Sequence, residues 1–449
     1  MTSSASAGGG MPEGNASGAA GAVRQKPGTP SLLRELNDRA ALELLLTEGP
    51  LTRAQISEAT GVSKVTVSQM LARLEERGLV MIAGEQAGGR GPNAALYSVV
   101  RSSAYVAGLY VDFDLVSAAV ADVTGQLVAS VSVDPNGADD PVRTIRDALG
   151  RACADAGLDF SALSAVVIGS PGVLDPQTGE PRIATNLPTW HEGVPGALRE
   201  VLHTQVAIEN DVNLAAMAER AGGAAVGLDD FAFVWLGTGL GLATVINGQV
   251  RRGVGGAAGE IGWMPVHGAP LPAGNEHPSK AGLQALAGGH AVQALAAEHG
   301  FYGATPADAI GAALADLARA SAGEDAGPGE LASSAEPALP GEAAGGRPAD
   351  GRSRGAAFMD DLAHRMAIGV AAVCVVLDPG LVVLGGTVGQ AGGAELATRV
   401  AAEVPRLCLA RPTVVPTAVL GEAVLLGALQ AALAQARAGL LGSLGSATD

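Results

Sequence analysis

The sequence predicts an α/β protein in which a small N-terminal winged helix-turn-helix precedes a large α/β body. Three observations predict it. Residues 31–100 hold three short helical patterns separated by glycine turns. From about residue 104 the pattern changes to apolar runs alternating with helical stretches, the mark of α/β units. The chain has 449 residues, 48% of them apolar, enough for two or three domains with buried cores. Aromatic residues make up only 3%, so those cores must rest on Ala, Val and Leu.

The first helix is expected over Ser31 to Glu48, where Leu32, Leu33, Leu36, Ala40, Leu42, Leu44, Leu45 and Leu46 recur at helical spacing. Gly49-Pro50 ends it. Thr52 is placed to cap a second helix, Arg53 to Thr60, and Gly61 suits the positive φ of a tight helix–helix turn. Ser63 then caps a third helix from Lys64 to about Arg77. On it Val67, Leu71 and Leu74 form one buried stripe, while Lys64, Thr66, Gln69 and Arg73 lie largely off the stripe. Leu79 to Ile82 and Leu96 to Val100 read as two strands, with Arg90 in the Gly/Pro turn between them.

A polar and cationic helix face behind a glycine turn suits the major groove, and an arginine at a wing tip suits phosphates or a minor groove. Lys64, Thr66, Gln69, Arg73 and Arg90 are therefore the expected DNA contacts. The competing reading is a three-helix module that binds protein. It draws on charge, since residues 31–100 hold seven basic residues against eight acidic ones. The basic residues do concentrate on the third helix and wing, so DNA binding is the expectation.

The net charge of −17 excludes a protein that coats nucleic acid over its whole surface, but not a small reading module. Cys153, Cys374 and Cys408 are widely separated and imply no disulfide framework, which fits a reducing cytoplasm. No apolar leader segment is visible. The tract Met366 to Gly386 is broken by Asp378-Pro379-Gly380, so it reads as a buried helix, a turn and a strand, not as a membrane span. Residues 1–30 and about 321–355 are low in complexity and are expected to be a disordered tail and a disordered insertion between two helices.

In the body, Glu209-Asn210-Asp211 follows the apolar run Val206-Ala207-Ile208, which places these polar groups at the carboxyl end of a strand, where ligands of α/β folds bind. Asp211 is suited to accept a sugar hydroxyl proton and Asn210 to donate to another hydroxyl. The competing reading is a helix cap, with Asp211-Val212-Asn213 preceding a helix from Leu214. Gly237 to Gly241 follows the strand Phe231 to Leu236. Its glycines let backbone N–H groups approach an anion, although the same run makes an ordinary hairpin turn.

These stretches carry a family resemblance. The head run from Thr52 to Ser57 and from Gly61 to Ser68 resembles the heads of regulators in the repressor, open-reading-frame and kinase (ROK) family. The body resembles the same family from about Val106 to Arg437. The stretches are Gly169 to Asp175 with Asn186 to Trp190, Glu209 to Asn213, Leu236 to Gly241 with Gly259 to Gly262, and Asp378 to Gly386. The resemblance implies an actin-like, ribonuclease-H-like fold of two lobes around a cleft, spanning 104–440. Lobe one would hold about 104–228 and a C-terminal helix at about 421–438, and lobe two about 229–420. It implies ligand contacts by Asn186, Asn210, Asp211 and Glu260, with two altered positions: Trp263 stands where many members place a histidine, and Gln284 where the family has an acidic sugar contact.

The chain departs from the family's kinases at the first phosphate loop. Tyr110 occupies the usual Asp position, Asp112 and Phe113 replace two glycines, and Asp114 replaces a threonine. Two carboxylates and a bulky ring there oppose an ATP phosphate by charge and by size. The family's zinc loop is also missing, since Met264 to Ala287 contains no cysteine. His267, His277, His290 and Glu276 match no usual metal spacing. The resulting expectation is a non-enzymatic, cytoplasmic regulator, read as a repressor, without metal or cofactor. It would bind operator DNA as a homodimer or higher oligomer and answer to a sugar or other small effector in the cleft. The alternative is an ATP-dependent sugar kinase with an accessory head, with Asp211 as its base.

Overall fold

Three main sheets organise the chain in a computed structural model that describes residues 30–87, 93–112, 114–135, 140–183, 193–202, 204–273, 280–322 and 352–445. The N-terminal tail, Arg90 and its turn, Phe113, Asn186 to Trp190, Glu276, His277 and most of the 321–355 insertion lie outside the described residues.

The head comprises α1 (Pro30–Glu48), β1 (Leu51–Thr52), α2 (Arg53–Thr60), α3 (Lys64–Glu76), β2 (Val80–Gln86) and β3 (Ala94–Val99). Its helix starts are encoded locally. The Thr52 hydroxyl accepts from the Gln55 N–H, and the Gln55 side chain accepts from the Thr52 N–H in return, a capping box. Gly61 takes φ 72°, which a Cβ would oppose, and lets α3 follow α2 at once. Ile56, Val67, Met70, Leu71, Leu74 and Tyr97 fill the core. The two wing strands reach further toward their tip than the sequence pattern indicates. Their backbone ladder continues through Glu85–Ala95 and Gln86–Ala94, where exposed side chains leave no alternation to read.

The body's first sheet uses β4 (Tyr105–Val111), β5 (Val116–Asp122) and β6 (Leu127–Val133), then α4 (Pro141–Asp155) and β7 (Leu163–Ser170). A short hairpin of β8 (Val173–Leu174) and β9 (Pro181–Ile183) follows, then α5 (Val194–Leu202), β10 (Val206–Asn210) and α6 (Asp211–Gly222). The second sheet uses β11 (Phe231–Leu236), β12 (Leu240–Ile246) and β13 (Gln249–Val250). After it come α7 (Gln284–Ala287), α8 (Gly289–Glu298), α9 (Pro306–Ser321), α10 (Arg354–Leu377), β14 (Leu381–Gly385), α11 (Gly386–Leu407) and β15 (Thr413–Pro416).

The sheet orders are β10-β7-β4-β5-β6 and β15-β14-β11-β12-β13. Each is an antiparallel three-strand meander with two parallel strands added beside its first strand. The same topology therefore occurs twice, once in each lobe of the body. Val383 and Phe233 in one lobe and Val167 and Ala119 in the other are almost fully buried, as strands covered on both faces must be.

The last helix, α12 (Ala423–Ser443), returns to the first lobe and packs on α6, β4 and β7. It is apolar enough to cross a membrane by length and composition, but its inward face lies in the core of that lobe. The packing needs glycine: a Cβ on Gly427 would stand 1.9 Å from the Leu214 carbonyl oxygen of α6, and one on Gly108 would stand 2.7 Å from the Leu429 nitrogen. Where the chain crosses between lobes, the fully buried Glu219 of α6 ties both crossings. It accepts from the Ala224 N–H at 2.6 Å, the Val419 N–H at 3.1 Å and the Thr417 hydroxyl. A carboxylate this buried is tolerable only because its oxygens are filled by donors.

Candidate nucleic-acid interface and ligand cleft

In the head, α3 turns Val67, Met70, Leu71 and Leu74 inward. Lys64, Val65, Gln69 and Ala72 are exposed on its outer side. Ser63 caps the helix: its hydroxyl accepts the Thr66 N–H at 3.2 Å and lies 2.9 Å from the Thr66 hydroxyl. Thr66 is thus half-buried and engaged in the cap, while Lys64 and Gln69 point to solvent.

Arg73, expected as a DNA contact, is paired within the head. Its guanidinium grips Asp38 of α1 in a two-point bridge, with Nε to Oδ2 at 2.8 Å and Nη2 to Oδ1 at 2.5 Å. Asp38 is 7% exposed, and an acid that buried must keep its cation. The pairing holds the Arg73 guanidinium above its ordinary value through the hydrogen bond to Asp38. Sequence spacing offered no sign of a partner 35 residues away. Arg77, just past α3, donates to the Ser443 and Leu444 carbonyls at 2.8 and 3.4 Å, which joins the head to the end of α12.

In the body, the polar groups meet at the carboxyl ends of β4 and β10. The helix here begins at Asp211, not at Leu214. Asn210 is its cap, with its Oδ1 accepting the Asn213 N–H at 3.1 Å and its Nδ2 donating to the Gly172 carbonyl at 3.1 Å. The capping role foreseen as the competing reading is therefore real, and it falls to Asn210. Asp211 is left in the first turn, 9% exposed. Burial pushes its carboxyl up to about 7, and the charges of Asp112 and Glu260 push in the same direction. Burial likewise raises Glu260, which the second lobe brings up from the turn Ile261–Trp263.

Tyr110 and Asp112 stand beside them. The Tyr110 hydroxyl donates to Asp112 Oδ2 at 2.6 Å. Burial first, then the charges of Asp112, Asp211 and Asp114, drive the phenol well above its ordinary value. The corner gathers the acidic groups Asp112 and Asp211 beside the Tyr110 phenol, and acidic groups there oppose a phosphate.

Gln284 takes a different role from the one the resemblance implied. Its Nε2 donates to the Thr238 carbonyl at 2.8 Å and its Oε1 accepts the Leu240 N–H at 3.0 Å. Both ends of the amide are used to bolt the glycine turn between β11 and β12 onto α7. Leu236 pairs directly with Leu240 across that turn, so Gly237 to Gly241 makes a tight hairpin. Trp263 is half-buried at the end of its turn. The sequence reading missed the clasp between lobes: Arg252 Nε meets Glu209 Oε2 at 2.6 Å, while Glu209 Oε1 accepts from the Asn213 amide at 2.9 Å. Glu209 beside Asn210 and Asp211 was a visible signal, but its partner comes from the other lobe.

Comparisons with known proteins match both the head and the body. The ROK family matches residues 107–437, and the MarR family matches residues 36–91. The chain is 26% identical over 241 residues to the xylose repressor of Bacillus subtilis, across 53% of this chain and 62% of that protein. It is 25% identical over 247 residues to the N-acetylglucosamine repressor of Escherichia coli O157:H7, across 53% of this chain and 59% of that protein. The chain thus spans about six-tenths of the length of the curated relatives it matches. Among solved structures, a ROK family transcriptional regulator, a homolog of the E. coli MLC protein, superposes with TM-score 0.65 at 15% identity. That match covers 92% of this chain and 99% of the other, and it speaks to the fold. A ROK hexokinase from Thermus thermophilus superposes with TM-score 0.54 at 25% identity, over 73% and 97%.

Proposed function

The chain belongs to the ROK family, and from that membership we propose that it is a DNA-binding transcriptional regulator, acting as a repressor in the cytoplasm. The head binds operator DNA as a homodimer or higher oligomer. The cleft binds a sugar or a related small effector without phosphorylating it. One observation carries this reading: an exposed reading helix, α3, stands on a body whose first phosphate position is filled by the hydrogen-bonded pair Tyr110 and Asp112. Asn186, Asn210, Asp211, Glu260 and Trp263 would supply the effector's contacts, and Gln284 would hold the glycine turn. Lys64 and Gln69 would face the DNA from α3, Thr66 would act beside them from the cap, and Arg90 would add a contact from the wing.

Effector binding would couple to the head as a free energy shared between two sites. The test is fluorescence-anisotropy titration of duplex DNA from the protein's own upstream region, with and without xylose and N-acetylglucosamine. Binding that survives competitor DNA and shifts with one sugar supports the reading. Loss of all sequence preference at moderate salt removes it.

A second reading, an ATP-dependent sugar kinase, is favoured by Asp211, whose carboxyl near 7 suits acceptance of a hydroxyl proton. Sugar-dependent ATP consumption that Asp211→Ala abolishes would establish it in place of the first.

A further inference from the structure

The outer face of α3 carries one side chain that folding does not explain. Ser63 caps the helix, and Val62 before it and Val67 beyond it both lie against the head core. These are the positions a hydrophobic staple uses, so the start of α3 is already closed on its inner side. Val65, between them, is 69% exposed. It is a β-branched residue in a helix, where it is a weaker former than Ala or a long polar residue.

The other outward groups in the first turns are partly committed elsewhere. The Ser68 hydroxyl donates to the Lys64 carbonyl at 3.0 Å, the Thr66 hydroxyl is held by Ser63, and Arg73 is held by Asp38. Lys64, Val65, Gln69 and Ala72 remain as the projecting set. Val65 and Gln69 are four residues apart and so lie one above the other on one face.

The N-terminal residues of a recognition helix contact base edges. Among those edges the thymine C5-methyl is the apolar feature, and a side-chain amide pairs with adenine N6 and N7. Phosphate oxygens offer nothing to an isopropyl group. Resting on the DNA-binding reading above, we propose that Val65 reads a thymine methyl group in the operator's major groove, next to the base pair that Gln69, one turn further along α3, hydrogen-bonds. Val65 is then a specificity-determining residue. The operator half-site has adjacent A·T pairs under the start of α3.

The test uses the full chain. It first selects preferred duplexes from a random DNA pool. Each thymine of the selected site is then replaced singly by deoxyuridine, which removes the methyl group alone. The expected result is one thymine per half-site whose replacement weakens binding about fourfold, the worth of one buried methyl group. In Val65→Ser the same replacement changes nothing, because the methyl has already lost its partner. Val65→Thr, which keeps one methyl, retains the sensitivity. Both variants are at an exposed position, and a melting curve checks that they fold as the parent does. Unchanged deoxyuridine sensitivity in Val65→Ser, or a parent protein insensitive at every thymine, overturns the inference while leaving sequence-selective DNA binding intact. A parent protein that enriches no sequence overturns the DNA-binding reading itself, and this inference with it.

Discussion

Asp211 shows how one residue can be costly to the fold and useful to the site. Its carboxyl is pushed from 3.8 to about 7, mainly because it is removed from water. A carboxyl raised in the folded state binds more protons there than in the unfolded chain between those two values. Its contribution to stability is therefore fully present below about pH 4 and is lost as pH rises through 7. Asp211→Asn keeps an oxygen for the Val212 N–H, which Asp211 Oδ1 accepts at 2.8 Å, and removes the charge. The variant is expected to be more stable than the parent at pH 8, by up to about 4 kcal/mol, with the gap closing toward pH 4. Thermal melts across that range read it directly. A constant gap would mean that charge is not what makes Asp211 costly. In its protonated form the group can both donate to and accept from a ligand hydroxyl.

Among the elements, α12 decides how the first lobe closes. It lies against α6 and across β4 and β7, with Gly427 set close against the backbone of α6 at Leu214. A methyl group there would stand 1.9 Å from the Leu214 carbonyl oxygen, and rigid backbone cannot yield as a flexible side chain would. Gly427→Ala is expected to cost at least about 2 kcal/mol, despite the better helix propensity of alanine. The urea midpoint measures it. A neutral or stabilising result would show that the helices separate more easily than this contact implies. The crossings held by Glu219 sit beside α12, since Val419 and Thr417 lead into it. An adjustment of the lobes at these crossings therefore bears on α6, which carries Glu219, and on the start of α12.

Across the whole molecule, α12 runs from the interlobe crossing to the head. At its start Glu422 accepts from the Ser117 hydroxyl of β5 at 2.5 Å, and at its end Arg77 holds the Ser443 and Leu444 carbonyls. Head, first lobe and α12 share one continuous apolar core that includes Leu42, Leu71, Leu441 and Leu444. A helix of this length spans about 30 Å as one stiff piece. Movement of the lobes would therefore be felt at α3 without passing through a flexible linker. Arg77→Met is expected to leave operator affinity in the absence of sugar nearly unchanged. It should also reduce the sugar-induced change, from the roughly 5- to 150-fold typical of coupled sites toward none. Paired anisotropy titrations with and without sugar read both quantities. An undiminished sugar response would place the coupling elsewhere.

The sequence by itself determined what depends on neighbours within a turn or two. Thr52 with Gln55, Gly61, and Ser63 with Thr66 mark the boundaries of α2 and α3, because caps and turns are satisfied locally. The alternation of apolar runs and helical stretches was enough for the α/β class, and the head run with the four body stretches together carried the ROK resemblance. The departure of Tyr110 and Asp112 from the residue types that the resemblance implies was also visible in the sequence. Only the tertiary structure decided which polar groups are already occupied. Arg73 belongs to Asp38, Gln284 to Thr238 and Leu240, and Glu209 to Arg252. These partners are brought together by packing between elements distant in sequence, and no spacing rule encodes them. The same cause separates Val65 from its neighbours: helical period places it on the outer face, but only the folded head shows that nothing within the described residues covers it.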